Sequence, residues 1–231
     1  MKTNIATPDD TLATRLAGLQ QAIDRALDSK CVNTGPRPRL IAVSKTHPAE
    51  RIEDAIELGV TDFGENKVQE AQGKYPALKI KHPHIRLHLI GPLQSNKAKE
   101  AVALFDVIHT IDRPKIADVV SAEIKKQARD IACLIQVNIA QEVQKAGVAP
   151  RDLAALLSYC QTIGLPISGL MCIPPEGENP APYFALMYKL KQEHQLAELS
   201  MGMSGDYETA LRFGATMIRV GTALFGERNQ Y

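Results

Sequence analysis

Short apolar runs alternate along this chain with longer stretches in which apolar residues return every three or four positions. The short runs predict strands at Leu40–Ser44, Thr61–Gly64, Arg86–Gly91, Val107–Ile111, Ile131–Asn138, Ile167–Cys172, Leu199–Met203 and Thr216–Val220. The periodic stretches predict helices at Pro48–Leu58, Arg113–Arg129, Pro150–Ile163, Pro182–Leu196 and Tyr207–Phe213. Proline suits the first turn of a helix, and Gly59 and Gly164 stand just past two of these segments, where a left-handed residue ends a helix. One further helix, Asp9–Asp28, precedes the first strand, with Leu12, Leu16, Leu19, Ile23 and Leu27 along one stripe.

Repeated strand–helix alternation implies a parallel sheet, because parallel neighbours need a crossover between them. Eight strands favour a closed α/β barrel of the (β/α)8 TIM type over an open sheet, with an extra N-terminal helix. A single domain over residues 1–231 is expected, since no low-complexity linker divides the chain and Gly177–Pro182 reads as a loop.

Composition narrows the function. Hydrophobic residues make up 45%, enough for a large core. The 27 basic and 26 acidic residues leave a net charge of +1, which supports neither nucleic acid nor a membrane surface as partner. With no tryptophan and only 5% aromatic residues, a base-stacking platform is not expected. Cys31, Cys133, Cys160 and Cys172 are too widely spaced for a zinc site or a small disulfide framework, so a reduced cytoplasmic setting is expected. Met1-Lys2-Thr3-Asn4 leads into no long apolar stretch, and no signal peptide or membrane span is expected.

The candidate chemistry sits where strands end, at the C-terminal rim of such a barrel. Lys45 follows the first strand and shares alternation parity with Ile41 and Val43, so it is expected to point inward. An amine beside apolar side chains loses affinity for its proton and becomes a better nucleophile toward an aldehyde. The ordinary alternative is a surface lysine. Ser204 and Gly205 follow the seventh strand, and Gly221 and Thr222 follow the eighth. The loops after these two strands recur as a phosphate site in this architecture. Ordinary turn glycines are the competing explanation. Arg219 lies in an apolar strand and shares parity with Met217 and Gly221. It needs either a carboxylate or a ligand as partner. A guanidinium facing a ring nitrogen only donates, so it would keep that nitrogen unprotonated.

His82, His84 and His88 cluster, but Pro83 interrupts them and no convincing ligand pattern completes a metal site. Gly202 and Gly205 lack the spacing of a dinucleotide or P-loop. Asn96-Lys97-Ala98-Lys99 reads as a solvated helix start, with a second anion site as the alternative. Asp112 and Asp206 are expected to cap helices.

The motifs Ala42-Val43-Ser44-Lys45, Phe63-Gly64-Glu65-Asn66, His88-Leu89-Ile90-Gly91-Pro92-Leu93-Gln94-Ser95-Asn96-Lys97, Leu199-Ser200-Met201-Gly202-Met203-Ser204 and Arg219-Val220-Gly221-Thr222-Ala223-Leu224-Phe225-Gly226 follow one another in a fixed order. From about Leu40 to Gly226 the chain resembles the pyridoxal phosphate homeostasis proteins, also called the proline synthetase co-transcribed family. That resemblance implies a barrel similar to the N-terminal domain of alanine racemase, with pyridoxal 5'-phosphate as cofactor. It implies a Schiff base at Lys45, a phosphate held by Ser204, Gly221 and Thr222, and Arg219 near the pyridine nitrogen. Asn66, His88 and Met201 are expected to line the pocket. Lys67 departs from the aromatic residue expected after Gly-Glu-Asn, which affects the pocket edge.

Three functions remain open at this level. The first is a non-catalytic carrier that sequesters the cofactor and delivers it to apoenzymes dependent on pyridoxal phosphate. The second is an amino-acid racemase, and the third a Schiff-base aldolase acting on a phosphorylated substrate. Racemisation needs a second base on the opposite face of Cα. In alanine racemases a tyrosine from an additional domain supplies it across a dimer. This sequence stops at Tyr231, soon after the Arg219 strand, which favours the carrier and a monomer.

Overall fold

The computed structural model describes residues 10–29 and 35–227. The expected helix start at Asp9, the Met1–Asn4 segment, Cys31 and Tyr231 lie outside the described residues. Eight parallel strands close in sequence order, β1 (Arg39–Val43), β2 (Asp62–Glu65), β3 (Arg86–Leu89), β4 (Val107–Ile111), β5 (Ala132–Val137), β6 (Ile167–Cys172), β7 (Glu198–Ser200) and β8 (Met217–Val220). The ring shuts where Arg39–Ala42 of β1 pairs with Met217–Val220 of β8. This is the (β/α)8 barrel expected from the alternation. Around it run α2 (Ala49–Glu57), α3 (Val68–Lys81), α4 (Ala98–Leu104), α5 (Pro114–Gln127), α6 (Leu153–Thr162), α7 (Ala181–Glu193), α8 (Tyr207–Arg212) and α9 (Thr222–Phe225). The additional α1 (Leu12–Asp28) begins at an N-cap where the Thr11 hydroxyl accepts from the Thr14 N–H. It buries Leu12, Leu16, Leu19 and Ile23, and its nearest partners are α8 and α9.

Strand alternation divides the core in two. Ala42, Phe63, Leu87, Ile108, Ile135, Leu170, Leu199 and Ile218 belong to the large apolar cluster shared with the helices. Ile41, Val107, Leu134 and Met217 form a separate small cluster within the barrel. The opposite parity therefore sends Ile41, Val43 and Lys45 inward, as the period of two requires.

Several element ends differ from the sequence pattern. Strands expected to reach Gly91, Asn138 and Met203 stop at Leu89, Val137 and Ser200. Single interstrand bonds persist past those ends, Ile90 N–H to Glu65 O at 3.0 Å and Met201 N–H to Met217 O at 3.1 Å, so the sequence pattern outruns the strands. Helices α3 and α9 have no counterpart in the sequence pattern: α3 carries Gly73 and Pro76, which blur its periodicity, and α9 has only 4 residues; α4, of 7 residues, is marked only at its start, by Asn96-Lys97-Ala98-Lys99. Pro150 opens a 3-10 turn over Pro150–Asp152, and α6 follows it. The expected caps are also different. Asp112 pairs with the Arg113 side chain, while Asp206 precedes α8 and accepts from the Met203 N–H at 2.6 Å.

Cys133, Cys160 and Cys172 are buried free thiols. Burial pushes Cys133 and Cys172 up to about 12 and Cys160 to about 11, so none is a thiolate nucleophile at neutral pH. Among the described residues, no cluster of His, Cys, Asp or Glu suits a metal ion, and no helix is long and apolar enough to cross a membrane.

Candidate functional site

A cavity of about 1230 Å³ opens where the strands end. Lys45, two residues beyond β1, lines it beside Val43. Arg219 enters it from β8. Asn66 lines it beyond β2, Ser204 and Gly205 beyond β7, and Gly221 and Thr222 beyond β8. The Ser204 hydroxyl accepts from the Ala223 N–H at 3.3 Å, so the last two loops meet at one side of the mouth. A second, more open hollow of about 600 Å³ lies at the other end of the barrel, against Arg86, Asp106 and Ser168. None of the expected site residues lines it.

The segment carrying Lys45 is held under backbone strain. Thr46 has φ +68°, a left-handed conformation that a β-branched residue rarely adopts. Its N–H donates to Glu70 on α3. Lys74, one turn further along α3, donates to the carbonyls of Ser44 (3.1 Å) and His47 (3.2 Å). The same ammonium meets Glu70 at 2.9 Å and Glu65 at 2.6 Å. Glu65 is fully buried; its carboxylate also accepts from Ser44 Oγ, which in turn accepts from the Tyr75 hydroxyl at 2.7 Å. Burial raises Glu65 above the ordinary carboxylate range, and Lys74 pulls it back down. The Gly-Glu-Asn motif and α3 thus brace the lysine from behind.

Close packing shapes the adjoining wall, where the chain leaves β2 and β3. A Cβ on Gly91 would lie 2.2 Å from the Asn66 carbonyl oxygen and 2.7 Å from its Cα. Backbone cannot swing aside as a side chain can, so only glycine permits this approach. Gly91→Ala should lower stability by about 2 kcal/mol, the usual range for overpacking. Thermal unfolding beside the unsubstituted protein checks this, and an unchanged midpoint contradicts it.

Two expected pocket residues lie elsewhere, which corrects the sequence expectation. Met201 is fully buried in the cluster between strands and helices, because it shares the outward parity of Leu199. His88 is fully buried inside the barrel and does not reach the cavity wall. Its Nε2 lies 2.9 Å from Asp62 and its Nδ1 2.9 Å from His109. Lys67, the departure from the family pattern, is exposed at the start of α3 and does not line the cavity either. His82 and His84 stay together near Pro83, with ring centroids 6.1 Å apart, well separated in role from His88.

Sequence reasoning missed His109 and Ser200, and also the lining residues His47, Glu142, Lys145 and Pro174. The last four sit in loops after β1, β5 and β6, where only the closed ring brings them near Lys45. Inward parity on β4 and β7 was the available signal for His109 and Ser200.

Burial lowers the affinity of His88 for a second proton, although Asp62 opposes this, and it lowers His109 much further, helped by His88 and Arg219. Arg39 and Arg86 add to the effect on both. Unfolding returns each ring to about 6.5. The unfolded chain then binds protons that the native state refuses, so stability falls as pH drops below about 6.5. Each histidine contributes a slope of at most about 1.4 kcal/mol per pH unit. Glu65, raised by burial, acts in the opposite sense at lower pH. Denaturant midpoints at pH 7.5 and 6.0 test this. Equal midpoints would contradict the neutral buried pair.

A closed barrel with a rim lysine and an arginine on its eighth strand defines a class, and the alanine racemase N-terminal domain family matches residues 21–229. A pyridoxal phosphate homeostasis protein of Vibrio cholerae is 41% identical over 211 residues, covering 87% of this chain and 89% of the relative. One of Aquifex aeolicus is 40% identical over 238 residues, covering 95% and 97%. The chain belongs to the pyridoxal phosphate homeostasis protein family. The solved structure of PipY from Synechococcus elongatus without PLP superposes with a TM-score of 0.82 at 39% identity, covering 94% of this chain and all of that one. The form with PLP bound gives 0.79. Alanine racemase of Clostridium difficile, at 11% identity and a TM-score of 0.72, shares the fold over 57% of its length.

Proposed function

We propose that this chain binds pyridoxal 5'-phosphate reversibly at the C-terminal mouth and acts as a carrier in vitamin B6 homeostasis, without robust turnover. The observation that carries this reading is that Lys45 and Arg219 enter one cavity whose rim holds Ser204, Gly221 and Thr222. The donor set fits the group. Lys45 supplies an amine for the aldehyde, and Arg219 supplies N–H donors for the ring nitrogen. The small residues after β7 and β8 let backbone N–H groups approach a phosphate, with Thr222 and Ser204 adding hydroxyls. A Cβ on Gly221 would sit 3.4 Å from Val43, an ordinary contact, so Gly221 lies directly against the strand that carries Lys45. Asn66 borders the same cavity. Bound pyridoxal phosphate supplies an electron sink. A guanidinium at its ring nitrogen weakens that sink, because arginine keeps its protons.

The relatives named as homeostasis proteins and the PipY structure with PLP bound support the same assignment. The relatives' name as homeostasis proteins favours the carrier over a racemase. We further propose that residues 1–231 work as one barrel domain, monomeric and cytoplasmic, and that apoenzymes requiring pyridoxal phosphate receive the cofactor.

Borohydride reduction after incubation with pyridoxal phosphate, followed by peptide mass mapping, tests the site. The added mass is expected on the Lys45 peptide. Modification elsewhere alone overturns the assignment. Deuterium incorporation at Cα of amino acids by the fully loaded protein would favour the racemase instead. Covalent capture of a phosphorylated sugar, with no uptake of pyridoxal phosphate, would favour the aldolase.

A further inference from the structure

Among the described residues, no carboxylate pairs with Arg219. Its Nη1 donates to Ser200 Oγ at 2.7 Å and its Nη2 to the Cys172 carbonyl at 2.8 Å. Ser200 Oγ lies 3.0 Å from His109 Nδ1, His109 Nε2 lies 2.9 Å from His88 Nδ1, and His88 Nε2 lies 2.9 Å from Asp62 Oδ1. Five side chains from β8, β7, β4, β3 and β2 are thus joined end to end through the barrel. Four of them, Arg219, Ser200, His109 and His88, are at most 3% exposed. Asp62 stands at the first residue of β2, toward the end of the barrel opposite the mouth.

The polarity of this chain has one solution with both rings neutral. Asp62 as a carboxylate only accepts, so His88 carries its hydrogen on Nε2 and leaves Nδ1 bare. His109 must then donate from Nε2, which leaves its own Nδ1 bare. Ser200 donates its single hydrogen there and accepts from Arg219. Every donor meets an acceptor, and all the bonds point from the guanidinium toward the carboxylate. Burial disfavours charge on both rings, and the His88 N–H with Thr61 and Arg86 keeps Asp62 below the ordinary carboxylate range despite burial. A packed apolar interior would satisfy the fold at less desolvation cost. The single direction of the bonds points to a task at the end that opens into the cavity.

We propose that Asp62, His88, His109 and Ser200 are positioning residues, forming a one-way hydrogen-bond relay that fixes the Arg219 guanidinium as a donor to the ring nitrogen of pyridoxal phosphate. This rests on the proposed cofactor. The relay commits one hydrogen on each terminal nitrogen of Arg219 and leaves the remaining N–H donors for an occupant of the cavity. It also couples the ring nitrogen to a carboxylate on the far side of the barrel, so a change at Asp62 is read at the mouth. Aligned buried bonds polarise one another, which is what carries such coupling.

Nitrogen-15 NMR of the imidazole rings tests the relay in the unsubstituted, cofactor-free protein. Both His88 and His109 are expected neutral, with hydrogen on Nε2 and a bare Nδ1. A hydrogen on Nδ1 of His109, or a cationic ring at neutral pH, overturns the relay. Adding pyridoxal phosphate should move the His109 Nδ1 resonance and leave His82 and His84 unmoved. In Asp62→Asn, the amide oxygen still accepts from His88 but the charge is gone. Its affinity for pyridoxal phosphate should fall about tenfold, within the span of couplings measured in such networks, and the absorption band of the bound cofactor should shift. Normal affinity and an unshifted band in that variant overturn the proposal even when the cofactor binds. Loss of cofactor binding by the unsubstituted protein would sink the function instead, while the tautomers still decide the relay. If Asp62→Asn fails to fold, the tautomers and the response of His109 in the unsubstituted protein decide between a relay and its absence.

Discussion

Lys45→Ala is expected to abolish the borohydride-reducible adduct with pyridoxal phosphate. Lys45 is the residue that alternation on β1 and the cavity together place at the mouth. Lys67 and Lys99 are outside the cavity, and the other lysine that lines it, Lys145, has its ammonium on Glu142 at 2.6 Å and on the Pro174 carbonyl at 3.2 Å. Loss should therefore be complete in mass mapping, far beyond a partial weakening. Ser204, Gly221, Thr222 and Arg219 remain in the variant, so part of the noncovalent affinity should survive and be visible by equilibrium dialysis. Reduced label on any other residue at comparable yield would show that the aldehyde reacts elsewhere. Lys45 is only half-buried and is no part of the apolar core, so the unfolding midpoint of the variant should stay near that of the parent.

Lys74→Met should carry the largest effect on stability. Methionine keeps most of the side-chain length and removes the ammonium that joins Glu65, Glu70 and the carbonyls of Ser44 and His47. Glu65 would then be a fully buried carboxylate without a cation. Removing one partner of a buried pair typically costs about 3 kcal/mol or more. For a chain of this size that is a fall of roughly 6–12 °C in the unfolding midpoint. The double variant Lys74→Met with Glu65→Gln should recover part of the loss, because the stranded charge has been removed. The Thr46 strain adds a second signature. With Lys74 gone, the turn bearing Lys45 loses two of the bonds that oppose its relaxation, so the affinity for pyridoxal phosphate should fall as well. A single variant that melts like the parent would mean that Glu65 is protonated in the native state and needs no partner.

Much of the barrel was legible because its two periodicities differ so plainly. Apolar runs such as Leu40–Ser44 and Ile167–Cys172 marked buried parallel strands, and Leu12, Leu16, Leu19 and Ile23 marked a helix stripe. Parity alone aimed Lys45 and Arg219 into the barrel, and the cavity contains both. What escaped depended on three-dimensional closure. His109 and Ser200 are 91 residues apart yet share a hydrogen bond, and no local pattern announces such a pair. His88 and Met201 were placed in the pocket by motif membership, although the first is sealed beneath it and the second faces the helices. Helix α3 was invisible because Gly73 and Pro76 interrupt it, yet it supplies Glu70, Lys74 and Tyr75 to the brace. The strand ends were overextended because interstrand bonds at Ile90 and Met201 continue past the regular strands, and residues such as Ile90 and Met203 stay apolar where they line the cavity.

The three buried sulfhydryls bear on what a cargo of this kind would encounter. Free aldehydes add readily to thiolates, and a host with accessible cysteines would compete with its own lysine. Cys133, Cys160 and Cys172 are shut inside the wall and held in the protonated form. A guest at the mouth therefore meets nitrogen and oxygen, and sulfur from these positions stays out of its reach.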